Sequence, residues 1–179
     1  MVQQFKKILF PTDLSEHARY SFNYAASIAA HYRASIVILY VVEGDAPQNT
    51  RNMLSVFLGS EKMRELEKRQ DEYALDAKDI LIGKKQDAEV IRDGLNLLYE
   101  DAKNQFFDHE SPDDEILVKR GDIVHKIFSV AKSRNCDLIV MGHGKYPTLT
   151  EAVIGSTTKS ILKKSTVPVL VIPMPRGNG

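Results

Sequence analysis

Two glycine-containing turns near the end of the chain have the composition of an anion-binding site. The first turn contains Gly142 and Gly144 and directly follows an apolar run. The second contains Gly155, which precedes three residues with hydroxyl side chains, Ser156, Thr157 and Thr158. Glycine lets the backbone turn sharply and approach a ligand closely. Unpaired amides and the dipole at a helix start favour a negative charge. The pattern therefore favours phosphate binding, with the alternative that Gly155 is a turn residue and Ser156 an ordinary N-cap.

The spacing of these glycines matches no common nucleotide-binding fingerprint. The pattern GxxxxGK[ST] is absent from the chain, which excludes a P-loop NTPase. Gly142-x-Gly144-x-x-Pro147 begins like GxGxxG but lacks the third glycine, and it follows the fourth predicted strand instead of the first. A dinucleotide-binding Rossmann site is therefore not expected.

Other reactive side chains predict neither a catalytic group nor a metal site. Ser15, Glu16 and His17 are consecutive, and consecutive residues on a helix point in different directions, so they form no triad. No pairing of His, Cys or carboxylate residues has the spacing of a structural metal site. His143 and Lys145 lie in the glycine turn, where each is interpreted either as a phosphate contact or as an exposed loop residue.

The chain carries equal numbers of acidic and basic side chains. Its 179 residues include 24 of each, so the net charge is zero. Binders of nucleic acid or of membrane surfaces usually carry an excess of Lys and Arg, so neither partner is expected. No apolar run approaches the roughly 20 residues that a membrane span needs. The single cysteine, Cys136, forms no intrachain disulfide and favours a reducing compartment, so we expect one cytoplasmic domain.

Alternating strand and helix patterns must position these turns. The run KKILFP, ended by Pro11, predicts a buried strand, and ASIVILYVV predicts a second one. Between them, Ser15 is the predicted N-cap of a helix. The apolar face of that helix recurs at helical spacing, at Ala18, Phe22, Ala25, Ala26, Ala29 and Tyr32. A strand, a helix and a strand within so short a segment predict a βαβ unit.

The second half repeats this alternation. Strands are predicted at 115–119 and 137–141, and helices follow Asp122, as an N-cap, and extend from about Ser156 to Lys164. The closing run VPVLVIP is bounded by prolines, which is typical of an edge or near-edge strand. Between the halves, residues 44–59 are predicted to be a loop. Residues 60–82 and 87–107 are predicted to be charged helices, separated by a break at residues 83–85.

This element order predicts an α/β fold, a single doubly wound domain whose parallel sheet is covered by helices on both faces. In such sheets, ligands bind at the carboxyl ends of the strands where the strand order reverses. Pro11, Thr12 and Asp13 end the first strand, and Met141 and Gly142 end the fourth. If these strands are neighbours, both ends face one crevice.

Four segments of the chain resemble the universal stress protein family, over nearly the whole length apart from the middle. They are FKKILFPTDLSEHA, IVILYVVE, GDIVHKIFSVAKSRNCDLIVMG and GSTTKSILKKSTVPVLVIP. The resemblance implies a five-stranded parallel sheet in a Rossmann-like domain of the adenine nucleotide alpha hydrolase type, spanning residues 1–179. It also implies an enlarged helical insertion at about 44–111 and a homodimer that pairs through the final strand, at about Val167–Ile172.

Nucleotide-binding members of that family carry G-x-x-G, nine residues, then G-[ST]. This chain has one residue between Gly142 and Gly144, and ten between Gly144 and Gly155, so its first turn is one residue tighter. By resemblance, Asp13 and the backbone near Val41 would hold the adenine and the ribose, and the glycine turns would hold the phosphates. The complete set of expected nucleotide-binding residues is Pro11, Thr12, Asp13, Val41, Met141, Gly142, His143, Gly144, Lys145, Gly155, Ser156, Thr157 and Thr158.

The resemblance implies a stress-responsive protein that binds ATP, AMP or another adenine nucleotide and acts as a switch or sensor. Any Mg²⁺ is expected to arrive through the phosphates. One alternative is an interaction module of the same fold that has lost nucleotide binding through the tighter turn. Another is a slow ATPase or an adenylating enzyme, although PTDLSEH after the first strand lacks the glycines of a pyrophosphate-gripping loop.

Overall fold

The computed structural model describes residues 4–44, 50–74, 83–108, 111, 113–143 and 154–173. Strands and helices alternate along these segments as the sequence predicts. The strands are β1 Lys7–Thr12, β2 Ser35–Val42, β3 Glu115–Arg120, β4 Leu138–Gly142 and β5 Val169–Ile172. The helices are α1 Glu16–Tyr32, α2 Thr50–Leu58, α3 Ser60–Ala74, α4 Gly83–Phe106, α5 Ile123–Ser133 and α6 Ser156–Lys164.

All five strands form one parallel sheet in the order β3-β2-β1-β4-β5. β1 lies at the centre, with Ile8 opposite Ile36 of β2 on one side and Leu138 of β4 on the other. Every residue of β2 is buried, as a continuous apolar run predicts for a strand covered on both faces. β5 lies at an edge, which confirms the expectation from its flanking prolines.

Helices cover both faces of the sheet, which confirms the doubly wound α/β architecture. On one face, β1 and β2 side chains such as Phe10 and Ile38 pack with α1, α2, α3 and α4. On the other face, Leu9 and Ile139 pack with α5 and α6. Successive strand residues point to opposite faces, so the apolar strands supply both cores at once.

Both predicted N-caps are confirmed. The Ser15 hydroxyl accepts a hydrogen bond from the Ala18 amide at 3.1 Å, and the Asp122 carboxylate accepts one from the His125 amide at 2.7 Å. The alanines of the predicted α1 face are buried, whereas Tyr32 at the end of that helix is 36% exposed. Small side chains let α1 lie close to the sheet.

The prediction of a loop over residues 44–59 is wrong for its second half, where α2 spans Thr50–Leu58. Leu54, Phe57 and Leu58 lie three and four residues apart, and they bury one face of α2 against the core. Residues 45–49 fall outside the described part of the chain.

The predicted helix over 60–82 is described as far as Ala74, and residues 75–82 lie outside the described part. The next helix, α4, begins at Gly83 instead of Asp87, so the expected break at residues 83–85 is a helix start. The Tyr99 hydroxyl of α4 donates to the Asp114 carboxylate, which also accepts the Ile36 amide at 2.7 Å. This contact joins α4 to the sheet. None of the described helices combines the length and apolar character of a membrane span.

Leu54→Ala should destabilise the fold by about 2–5 kcal/mol, because it leaves a cavity at a fully buried position of α2. Val56→Ala is the matched control, since Val56 lies on the same helix but is 58% exposed. Its effect should stay within about 0.5 kcal/mol. Urea unfolding followed by circular dichroism measures both, and equal effects of the two changes would contradict the packing of α2 on the core.

Candidate functional site

A cavity of about 690 Å³ opens at the carboxyl ends of β1, β2 and β4. This is where the strand order reverses, because β1 is flanked by β2 and β4. The described wall consists of Pro11, Thr12, Asp13, Ser15, His17, Ala18, Leu39, Tyr40, Val41, Glu43, Met53, Ile123, Ile127, Met141, Gly142, Gly155, Ser156, Thr157 and Thr158. The crevice expected from neighbouring first and fourth strands is therefore present.

The turn between β1 and α1 fixes Asp13 at the base of this cavity. The Thr12 hydroxyl accepts the Leu14 amide at 3.1 Å, and the Asp13 carboxylate accepts the Ser15 amide at 3.0 Å. Leu14 has a left-handed backbone with φ of 57°, which short side-chain turns of this kind support. Ser15 caps the helix, so Asp13 shapes the turn and keeps its charge at the cavity. Burial, with the Asp13 charge as second cause, raises the pKa of Tyr40.

The start of α6 also lines the cavity. Gly155 is the N-cap residue, with φ of −58° and ψ of 154°, and as a glycine it supplies no side chain to cap the helix. The first hydrogen bond within α6 runs from the Lys159 amide to the Gly155 carbonyl at 2.9 Å. Ser156 is therefore the first helical residue, and its interpretation as the N-cap is wrong. The amides of residues 156–158 precede that first bond and have no acceptor within the helix.

Hydrogen bonds connect α6 to the end of β4. The Thr158 hydroxyl donates to the Gly142 carbonyl at 3.4 Å, and the Gly155 amide donates to the His143 carbonyl at 3.2 Å. The uncapped helix start is thereby held against the carboxyl end of β4. The positive end of the helix dipole and the amides that have no acceptor within the helix favour an anion at this position.

His17 is a buried polar residue of the wall that was not predicted from the sequence. It lies in the first turn of α1, is 6% exposed, and has no hydrogen-bond partner on either ring nitrogen within the described residues. Burial lowers its pKa, while Asp13 raises it and His143 lowers it further. The sequence places His17 in a helix but does not reveal that β4 covers it. His17 was excluded from a catalytic triad with Ser15 and Glu16, and no other role was predicted for it.

Most predicted site residues come together in the wall of this cavity. Ten of the thirteen line it, namely Pro11, Thr12, Asp13, Val41, Met141, Gly142, Gly155, Ser156, Thr157 and Thr158. The His143 carbonyl accepts a hydrogen bond from the Gly155 amide, and His143 is not part of the described cavity wall. Gly144 and Lys145 lie outside the described residues. The apolar wall formed by Ile123, Ile127 and Met53 was not anticipated, since Met53 lies on the helix that was mistaken for a loop.

Metal-ligating side chains do not cluster in the described segments. Groups of three or more His, Cys, Asp or Glu residues arranged to hold a metal ion are absent from those segments. Cys136 is buried on the α5 face, and burial raises its thiol pKa to about 11. Its environment is that of a packed, unreactive thiol.

A single parallel sheet with a cavity at its switch point defines an α/β domain of the Rossmann-like class. The model of the universal stress protein family matches residues 4–173. The chain therefore belongs to the universal stress protein family.

Curated relatives and solved structures of this family are similar to the chain over nearly its whole length. Universal stress protein MJ0577 of Methanocaldococcus jannaschii is 28% identical, over 96% of this chain and 97% of that relative. Universal stress protein Sll1654 of Synechocystis is 26% identical, over 96% of this chain and 88% of that relative.

The fold is shared with solved structures. That of hypothetical protein MJ0577 superposes with a TM-score of 0.58 at 22% identity, over 98% of this chain and 100% of that one. A universal stress protein in complex with cAMP superposes with a TM-score of 0.55 at 17% identity, over 96% of this chain and 98% of that one.

Gly142→Ala should lower the free energy of unfolding by about 1 kcal/mol, because a Cβ there would lie 3.0 Å from the buried Ser21 hydroxyl. Gly142 does not have a left-handed backbone, so the expected destabilisation comes from the lack of room for a Cβ and not from backbone strain. In a Ser21→Ala background the effect of Gly142→Ala should shrink. Urea unfolding of the four proteins gives the coupling energy, and strictly additive effects would contradict this contact.

Proposed function

We propose that this chain is a stress-responsive protein that binds an adenine nucleotide, ATP or AMP, in the cavity between β1 and β4. One observation carries the proposal. The same cavity is lined by a carboxylate, Asp13 at the end of β1, and by the start of α6, where the Gly155 N-cap has no side chain. A nucleoside phosphate has the complementary arrangement, with hydroxyls and an amine at one end and an anion at the other.

The base and ribose end of the cavity is mostly apolar. Ligand pockets typically enclose about 300–1,000 Å³ and combine apolar walls with a few placed polar groups. Ile123 and Ile127 of α5 and Met141 of β4 supply apolar surface for a base. The Asp13 carboxylate accepts hydrogen bonds from ribose hydroxyls or from the adenine amine. Val41, at the end of β2, lies in the same wall and offers its backbone.

The phosphate end is the first turn of α6. Gly155 removes a side chain at the N-cap, and the hydroxyls of Ser156 and Thr157 lie beside the free amides. An anion at a helix start gains from the dipole and from these donors together. Phosphates bound there would carry any Mg²⁺, because magnesium in nucleotide sites is held largely through phosphate oxygens.

The comparisons support the proposal through the shared fold. A universal stress protein has been solved with cAMP, so this fold accommodates an adenine nucleotide. We propose a switch or sensor role, in which nucleotide occupancy is the signal, and a cytoplasmic location. A slow ATPase remains a distinct alternative that steady product release would reveal.

Nucleotide binding is tested best at Gly155, where the charge can be changed without changing side-chain size. Gly155→Asp and Gly155→Asn both introduce good N-cap residues at a backbone conformation open to any residue. The carboxylate should weaken ATP binding about tenfold or more, because like charges about 4 Å apart repel by roughly 1–4 kcal/mol. The neutral amide should weaken it far less. Calorimetry on ligand-stripped protein measures both.

Absence of ATP and AMP binding by the wild-type protein at millimolar concentration would contradict the proposal. It would favour the interaction module that has lost nucleotide binding. Equal effects of Gly155→Asp and Gly155→Asn would show that the phosphates lie elsewhere.

We also propose that the protein forms a homodimer through β5. This strand lies at the sheet edge, so one side of its backbone is unpaired within the sheet. Its Leu170 side chain is 37% exposed. Exposed apolar edge strands readily pair with a second copy.

Leu170→Lys should shift the protein from dimer to monomer, because a charge on an edge strand opposes strand pairing. Val56→Lys is the matched control, an exposed apolar residue on α2 that should leave the dimer intact. Light scattering coupled to gel filtration gives the mass of each. A monomeric wild-type protein would contradict the proposal.

A further inference from the structure

His17 is a buried basic side chain in the cavity wall, and the proposed nucleotide site does not yet use it. Its ring lines the cavity, and the residue is 6% exposed. Neither ring nitrogen has a hydrogen-bond partner in the described part of the chain. Buried polar groups in native proteins are almost always paired, so an imidazole with two unpaired nitrogens beside a cavity points to a partner that the ligand provides.

His17 lies close to the end of β4, the strand end to which the start of α6 is hydrogen-bonded. A Cβ at Gly142 would lie 3.6 Å from its Cδ2 and 3.7 Å from its Nε2. The carbonyl of the same glycine accepts the Thr158 hydroxyl from the first turn of α6. His17 and the start of α6 therefore meet at one residue, the end of β4.

The charge of the cavity needs a cation at this end. The described wall contains the carboxylates of Asp13 and Glu43, and His17 is the basic side chain within that described wall. A phosphate monoester adds roughly −1.5 to −2 charges at neutral pH. Since like charges repel strongly in a partly desolvated cavity, a proton on His17 would stabilise the bound phosphate.

We propose that His17 takes up a proton when a phosphorylated nucleotide binds and donates a hydrogen bond to a phosphate oxygen, so that affinity falls as pH rises. This inference rests on the proposed function and deepens it. The proton comes from solvent, and no covalent bond changes.

The direction of the pH dependence follows from the groups that face the ring. Burial lowers the pKa of His17 from its ordinary value of 6.5, Asp13 at the end of β1 raises it, and His143 after β4 lowers it. Glu16 and Tyr20 are its titratable neighbours on α1. A bound phosphate raises the pKa. Affinity is therefore constant below the free-state pKa and falls up to about tenfold per pH unit between the free and bound values.

Calorimetry of ADP and adenosine, at pH 7.0 in buffers of different ionisation enthalpy, counts the protons taken up. The wild-type protein should take up a proton with ADP and none with adenosine. His17→Gln should abolish this uptake and weaken ADP binding about tenfold, the effect of losing one charge-assisted hydrogen bond. Adenosine affinity should remain within about twofold, because adenosine lacks the phosphate contact. His31→Gln is the matched control, because His31 is an exposed histidine of α1 outside the described cavity wall, and it should keep the proton uptake.

Each outcome decides a separate point. ADP affinity and proton uptake unchanged in His17→Gln would overturn the role of His17 and leave the nucleotide site standing. Failure of the wild-type protein to bind either ligand would overturn both the proposed function and this inference. If His17→Gln also loses adenosine, its cavity is damaged and the wild-type comparison decides. Equal proton uptake with ADP and adenosine would then overturn the proposal.

Discussion

The parallel pairing of β1 with β2 on one side and β4 on the other determines where a ligand can enter. The Asp137 carboxylate accepts the amides of Lys6 and Lys7 at 2.9 and 3.1 Å, and the Asp137 amide donates to the Lys7 carbonyl at 2.9 Å. These bonds tie the start of β4 to the start of β1. Because α1 packs on one face of the sheet and α6 on the other, the cavity lies at the switch point between the starts of these two helices.

Two electrostatic features line this cavity. Asp13 brings a carboxylate, and the start of α6 brings the positive end of a helix dipole with amides that have no acceptor within the helix. His17 lines the same cavity, buried and unpaired within the described residues. An anion bound at the start of α6 would also give the His17 imidazole a hydrogen-bond partner. The same few residues would therefore connect ligand charge, protonation and affinity.

Local patterns predicted the elements that depend on local chemistry. The caps at Ser15 and Asp122 and the apolar strands could be identified because each is encoded by neighbouring residues. The helix α2 was not predicted, because its apolar stripe is short and consists of Leu54, Phe57 and Leu58. The burial of His17 could not be predicted, because it depends on the approach of β4 from more than a hundred residues away in the chain. For the same reason, the sequence could not decide whether Gly155 or Ser156 is the N-cap.

The central claim is that a nucleotide lies between β1 and β4 with its phosphates at the start of α6. Amide chemical shifts of isotopically labelled protein, compared between saturating ADP and saturating adenosine, test this most directly. Both ligands should perturb the amides near Asp13 and Val41, and the difference between them should concentrate at residues 155–158 and at Gly142. Differences concentrated away from the start of α6, or an absence of perturbation by either ligand, would contradict the account.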